Sequence, residues 1–394
     1  MSGTQAPPAT TPTIAAQVRD RAQRTPDQVA VRWKRRGIWN EVTWTRYWHD
    51  AEAAARMLLA LGLEPGGRVV ILSENRYEWL LADTATVAAG GVTVGVDADA
   101  AWAIARDVIV RTDPVVVIAE NQEQLDKVLG IADDLPHAHI VYVDGRGIDD
   151  RRYTHPRLHH WDAATAAAPQ HTPTETVARR IDAAHAGTVV ALLPDLGGTA
   201  KVRDVALSAA DVAAMVDRVG HDVAPAPSAQ DLVLPFTSLA DRDERLLTAW
   251  LNAAAGVQVH FAESLSTVRG DLREAQPTIV FAPAQAWERL LAGVDGRLAG
   301  ASRFKRWMWR AWRPVAERAG AARAAGDDLP AALRARAAAG NVLVFRALRA
   351  RIGMRHVRHA AFTGPLPAEV RHLLVGIGVP LSPLVHDPPE VAAP

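Results

Sequence analysis

Fourteen histidines, four lysines and no cysteine define the chemistry open to this 394-residue chain. Without cysteine, disulfides, thiolate metal sites and a cysteine nucleophile are excluded together. The densest set of metal-type ligands is His155, His159 and His160 in RRYTHPRLHHWD. Three imidazoles in a polar stretch without partner carboxylates read as solvated side chains, so no metal is expected. No Gly-x-Ser-x-Gly elbow and no paired-carboxylate spacing of a hydrolase is present. GGTAK at 197–201 follows a β-branched run, and on its own it reads as a strand-to-helix turn. In SRFKRWMWRAWRPVAERA, helical spacing puts Phe304, Met308, Ala311, Trp312 and Val315 on one face. Lys305, Arg306, Arg310, Arg313 and Arg318 surround that face. A basic helix edged with tryptophan can lie in a bilayer interface, so peripheral membrane contact through 303–318 is one reading. A surface helix packed on its own domain, its arginines snorkelling, is the preferred one.

The elements that would position these residues follow from hydrophobic patterning. The chain is 49% hydrophobic and 22% charged, enough apolar surface for two or three cores. Forty-four basic and forty-four acidic residues cancel, so no global field draws it to nucleic acid. No apolar run reaches the roughly eighteen residues of a spanning helix. The opening MSGTQAPPATTP lacks the basic start and apolar stretch of a signal peptide, which implies a cytoplasmic protein, with any membrane contact peripheral at the inner face. VAVRWKRRGIWNEVTW alternates about Lys34 to Gly37 and predicts a hairpin. RVVIL, VTVGV, VVVIA and HIVYV are short β-branched runs separated by helical stretches, the signature of parallel sheet with helices on both faces. TVVALL, DLVLPF, VQVHF, TIVFA and HVRHAAF repeat the pattern after a polar, aperiodic stretch taken as a connection. The expected organisation is a disordered arm at 1–12, a first α/β subdomain with its hairpin at 13–170, a second at 171–382 and a Pro-rich tail at 383–394. Two helices broken near Gly326 to Pro330 are expected between Ser302 and Arg351.

RVVILSENRYEWLLADTATVAAGGVTVGV, ENQEQLDKVL and VYVDGRG resemble the amino-terminal lobe of long-chain fatty-acyl-CoA synthetases, members of the adenylate-forming, AMP-binding superfamily. FAESLSTVRGDLREAQPTIVFAPAQAWERLL and RALRARIGMRHVRHAAFTGPLPAEV are similar to later stretches of the same lobe, and the similarity covers roughly 13–382. The resemblance implies two packed α/β subdomains with largely parallel sheets, a chain that stops before the β-barrel and mobile domain are complete, and an acyl channel between the second sheet and the helix starting near Ala284, close to Trp307. It also implies ATP and magnesium as cofactors, with a fatty acid converted to an acyl-adenylate and then to a CoA thioester.

The resemblance weakens where that chemistry should reside. The family's phosphate loop, Y-T-S-G-T-T-G-x-P-K-G, corresponds to LLPDLGGTAKVR. Anchored on Lys201, Gly198 keeps its glycine, while Leu193, Pro194, Leu196 and Gly197 replace hydroxyl residues and Asp195 replaces a glycine. Such a loop works by aiming N–H groups and hydroxyls at phosphate oxygens, each bond to a charged group being worth about 1.5–3 kcal/mol. Pro194 has no N–H, and a carboxylate about 4 Å from a phosphate charge costs roughly 4 kcal/mol at an effective dielectric near 20. Gly197, Gly198, Thr199 and Lys201 are therefore expected to be a vestigial phosphate loop, although Thr199 and Lys201 could still approach a phosphate. The L-P-L-A-H-x-x-E-R landmark reads LPFTSLADRDER, keeping Glu244 and Arg245 but placing Asp241 where the family has histidine. P-R-x-W-E-K reads PAQAWER, with Gln285 for the arginine and Trp287 and Glu288 retained. The turn beside the adenine is shortened to TGPLP at 363–367. No lysine follows Lys305, and the family's Y-G-x-T-E motif has no counterpart.

The expectation is a degenerate acyl-CoA-synthetase-like protein without catalytic residues or cofactors, binding a fatty acyl chain or a protein partner. Two other readings stay open: a working or split long-chain fatty acid–CoA ligase using ATP and magnesium, and an assembly subunit that pairs with a full-length homologue or itself.

Overall fold

The computed structural model describes residues 11–149, 151–194, 204–222 and 226–384. Fourteen strands are found among them. In chain order these are β1 (Val29–Arg35), β2 (Ile38–Thr43), β3 (Arg68–Leu72), β4 (Val92–Val96), β5 (Val116–Ala119), β6 (His139–Tyr142) and β7 (Leu158–His160). β8 (Val189–Leu193), β9 (Val205–Ser208), β10 (Leu232–Val233), β11 (Gln258–Phe261), β12 (Ile279–Pro283), β13 (His359–Thr363) and β14 (Leu381–Pro383) complete the set. The chain divides into two compact units, one formed by 1–217 with 237–261 and the other by 218–236 with 262–394.

The first unit contains a seven-stranded sheet in the order β7-β6-β5-β3-β4-β8-β9. All neighbours run parallel except β9, which pairs antiparallel with β8 at the edge. Parallel strands need crossovers that cover both faces, so the central strands are apolar along their whole length rather than alternating. Val69, Val70, Ile71 and Val94 are accordingly buried. The hairpin of β1 and β2 forms as predicted, and its turn is made by Arg36 and Gly37, both at positive φ (51° and 75°). A two-residue turn of that kind matches the natural twist of the flanking strands.

Three strands sit elsewhere than the sequence pattern places them. TVVALL yields β8, which joins the first sheet beside β4, at Thr93 with Ala191 and Val94 with Leu192. VQVHF yields β11, which runs parallel to β1 in the first unit. The stretch taken as a connection contributes β7, paired with β6, and two helices, Trp161–Ala167 and Thr174–Asp182. His159 and His160, adjacent in β7, hide its strand character, because the neighbouring rings of His139 and Tyr142 rather than aliphatic side chains pack on them.

The second unit holds a parallel sheet of β10, β12, β13 and β14. Helices Ala284–Ala299, Arg303–Ala325 and Ala368–Gly376 cover a core that includes Trp287, Leu291, Trp309, Phe345 and Leu374. The expected break between long helices is present: Gly326 ends the first at φ 80°, and Ala331–Gly340 follows Pro330. The buried face of Arg303–Ala325 is Trp309, Val315, Ala316, Ala319 and Gly320, whereas Phe304 is 67% exposed and Ala311 is exposed. The predicted apolar face is thus displaced, because Gly320 and Ala316 rather than Phe304 and Ala311 allow the close approach to helix Ala368–Gly376. No helix of the described residues is long and apolar enough to cross a membrane.

Candidate functional site

In the first unit the carboxyl ends of β3, β4 and β8 are the natural place for a ligand, since open α/β sheets bind there. A loop and short helix, 237–245, are fastened at that edge. Asn75, just beyond β3, donates to the Thr237 carbonyl (2.6 Å) and accepts from the Leu239 N–H (2.8 Å). Gly95 on β4 has no side chain, so Ala240 can approach: a Cβ at Gly95 would stand 2.8 Å from the Ala240 Cα. β8 leaves the sheet alongside that same stretch of β4, and Pro194 is its first residue past the strand. Asp195, Gly197, Gly198, Thr199 and Lys201 lie outside the described residues. Register nonetheless brings the exit toward them and the Ala240–Asp241 backbone to the same end of β4.

Asp241 begins helix Arg242–Arg245 as its N-cap, its carboxylate accepting from the N–H groups of Asp243 (2.8 Å) and Glu244 (3.3 Å). Removal from water, followed by the like charge of Asp243, raises its carboxyl above the usual range, against those two N–H donors. Three residues on, Glu244 is buried. It accepts from the Thr237 N–H (3.2 Å), the Thr237 hydroxyl and the Thr248 hydroxyl (3.1 Å). Burial pushes its carboxyl up to about 8, despite these donors. Arg245 is buried as well, and its guanidinium holds Asp83, itself fully buried in helix Tyr77–Ala88. The rings of Trp79 and Trp250 flank the guanidinium at 5.4 and 5.2 Å. The following turn, Leu246–Trp250, is a π-helix that carries Thr248 back to Glu244 and Trp250 to Arg245.

Glu244 and Arg245 are thus committed to neighbours within the unit. Sequence reasoning singled out both but missed Asp83 and Trp79, which lie 162 and 166 positions earlier. A lone carboxylate inside the apolar run LLADTATVAA was the available signal.

The histidines do not converge. His159 Nε2 lies 3.0 Å from His139 Nδ1, His160 packs on Tyr142 at 5.0 Å, and His155 Nδ1 accepts from the Arg157 N–H at 3.3 Å. Among the described residues no group of three metal-type ligands forms. In the second unit the Trp287 indole donates to the Ala361 carbonyl at 3.2 Å from within the core. Leu291 and Val294 are buried in the same core as Trp287, and Trp307 is 61% exposed. Thr363 ends β13 and Gly364 turns at φ 81°, so TGPLP connects that strand to helix Ala368–Gly376.

The family model described as AMP-binding enzyme matches residues 18–384. The chain is 25% identical to long-chain-fatty-acid–CoA ligase ACSBG1 of Homo sapiens over 367 residues, 90% of this chain and 49% of that protein. It is 26% identical to long-chain-fatty-acid–CoA ligase FadD15 of Mycobacterium bovis over 377 residues, 93% of this chain and 59% of the relative. The chain therefore spans about half the length of these curated relatives. Among solved structures, the A-PCP didomain of carboxylic acid reductase from Segniliparus rugosus, in complex with AMP, superposes with a TM-score of 0.69 at 17% identity. That match covers 96% of this chain and 52% of the didomain and speaks to the fold.

Proposed function

The chain belongs to the AMP-binding enzyme family, and from that premise we propose that it is an acyl-CoA-ligase-like protein that no longer adenylates and acts by binding an acyl chain or a protein. The observation that carries this reading is Asp241. The residue in the place of the family's histidine is a carboxylate locked as a helix cap beside β4, where β8 exits toward residues 195–201. Its rotamer is held by two N–H groups, so it cannot swing away from an incoming anion without uncapping the helix. Asp195 adds a second negative charge in the sequence, and Pro194 removes a donor. A triphosphate approaching this end of the sheet meets repulsion where family members supply donors.

Peripheral membrane contact through 303–318 is supported by the exposure of Phe304 and Trp307, whose rings lie 6.0 Å apart.

Calorimetric titration with ATP and magnesium tests the central reading. We expect no saturable heat, and a micromolar Kd overturns it. A second reading, a working ligase, draws on the retained Lys201, Thr199 and Glu244. It requires fatty-acid-dependent release of pyrophosphate, assayed for the chain alone and with a candidate second chain, and silence in both removes it.

A further inference from the structure

We propose that the second unit carries a binding pocket for a phosphate monoester attached to an alkyl or acyl group, built from two arginine-bearing helices and the turn after a third. This inference is independent of the reading of residues 194–245.

A pocket of about 120 Å³ lies among helices Val268–Ala275, Ala284–Ala299 and Arg346–Arg351. Its rim is Arg269, Arg273, Arg289, Arg297 and Arg351, and its wall is Leu272, Leu290 and Ile352. Arg269 and Arg273 are one helical turn apart, and Arg289, Gly293 and Arg297 are successive turns of the neighbouring helix, so each helix turns a single guanidinium-bearing face to the pocket. No acidic side chain lines it, and among the described residues none of the five arginines is in an ion pair. On the neighbouring helix Arg303–Ala325 arginine does find acids: Arg313 bridges Asp295 and Glu317. Five guanidinium groups without a carboxylate suit a dianion better than a single carboxylate, because each planar fork can take two oxygens of one phosphate. The apolar wall then suits the first carbons of a chain attached to that phosphate.

The wall is fixed. Gln276 bonds to the turn on both sides, its amide donating to the Ala350 carbonyl (3.0 Å) and its carbonyl accepting from the Arg355 N–H (2.8 Å). Gly353, at φ 81°, lets that turn close on helix Val268–Ala275, where a Cβ would stand 2.7 Å from the Leu272 carbonyl oxygen. Arg351 and Ile352 are thereby held against Leu272. Gly293 leaves the space between Arg289 and Arg297 open, the nearest atom to a Cβ there being 3.9 Å away.

Two variants separate the charged rim from the apolar wall. Arg273→Gln/Arg297→Gln/Arg351→Gln removes three positive charges from exposed positions. Gly293→Leu keeps every arginine and fills the pocket from a helical site with room for a side chain. Hexyl phosphate is titrated calorimetrically into the full chain, with inorganic phosphate as the probe lacking a stem. Flotation with phosphatidic acid vesicles against phosphatidylcholine vesicles asks whether the phosphate is presented by a membrane. The expected result is saturable binding of hexyl phosphate or selective flotation with phosphatidic acid. It should weaken at least tenfold in the triple variant and in Gly293→Leu, while inorganic phosphate binding is unchanged by Gly293→Leu. Binding only on vesicles assigns the source to a lipid headgroup, and binding in both arms assigns the shared chemistry. Absence of binding in both arms, or binding that neither variant weakens in a chain with an unchanged unfolding midpoint, overturns the proposal.

Discussion

Asp83 and Arg245, 162 residues apart, meet in the interior of the first unit, where Arg245 Nε donates to Asp83 at 3.0 Å and both side chains are almost inaccessible to water. Trp79 and Trp250 enclose the guanidinium, so the pair has little water to fall back on. Removing one partner leaves an uncompensated buried charge, which costs about 3–5 kcal/mol. Asp83→Leu and Arg245→Met should each lower the urea unfolding midpoint accordingly. The double variant should lose less than either single change, because no charge is left stranded. A double-variant loss equal to the sum of the two single losses would show that the two groups are not coupled.

Asp241 is expected to matter for stability as a cap. Asp241→Ala should cost about 1 kcal/mol and Asp241→Asn only a few tenths, since asparagine caps comparably without the charge. Urea unfolding measures both. A loss for Asp241→Asn as large as that for Asp241→Ala would mean that the charge, rather than the hydrogen bonds to Asp243 and Glu244, fixes the loop.

Helices Arg303–Ala325 and Ala368–Gly376 touch through glycine. A Cβ on Gly320 would lie 1.7 Å from the His372 carbonyl oxygen, and one on Gly376 would lie 1.8 Å from that of Ala316. Neither obstacle is a side chain that can rotate away, so the helices must separate. Gly320→Ala and Gly376→Ala should each destabilise by about 1–3 kcal/mol or more, read as a fall in the unfolding midpoint. Gly296→Ala, where nothing lies within 4 Å, should be neutral or stabilising by comparison.

The parallel strands were legible because burial on both faces writes itself as uninterrupted runs such as RVVIL and VTVGV. The hairpin was legible because Arg36-Gly37 sits between two alternating segments. What the sequence withheld was partnership over distance. Nothing local to TVVALL or VQVHF says which sheet receives it, since any parallel edge accepts such a strand. For the same reason Glu244 and Arg245 were found as landmarks while Asp83, Thr237 and Thr248, which hold them, were not. The displaced face of helix Arg303–Ala325 follows from counting apolar bulk, when alanine and glycine made the closest contact.

Two buried groups give stability a pH dependence of opposite sign. Glu244 is raised to about 8 from an ordinary 4.5, so between those values the folded chain binds the extra proton and stability falls as pH rises. His260 on β11 is lowered to about 3 from 6.5, by burial and then by Arg32; among the described residues neither ring nitrogen has a hydrogen-bond partner. Between pH 3 and 6.5 the unfolded chain is the one that binds the extra proton, so His260 makes stability rise with pH and confers acid lability. From about 4.5 to 6.5 the two slopes oppose each other, and from 6.5 to 8 only Glu244 acts. Glu244→Gln keeps an oxygen for Thr237 and should flatten the decline above 6.5 while exposing the rise below it. His260→Phe preserves a ring against Trp39, now 5.4 Å away, and should leave a decline running from 4.5 to 8. Urea midpoints measured across that range check both signs. A wild-type midpoint that increases between pH 6.5 and 8, and does so unchanged in Glu244→Gln, would show that Glu244 is ionised in the folded chain.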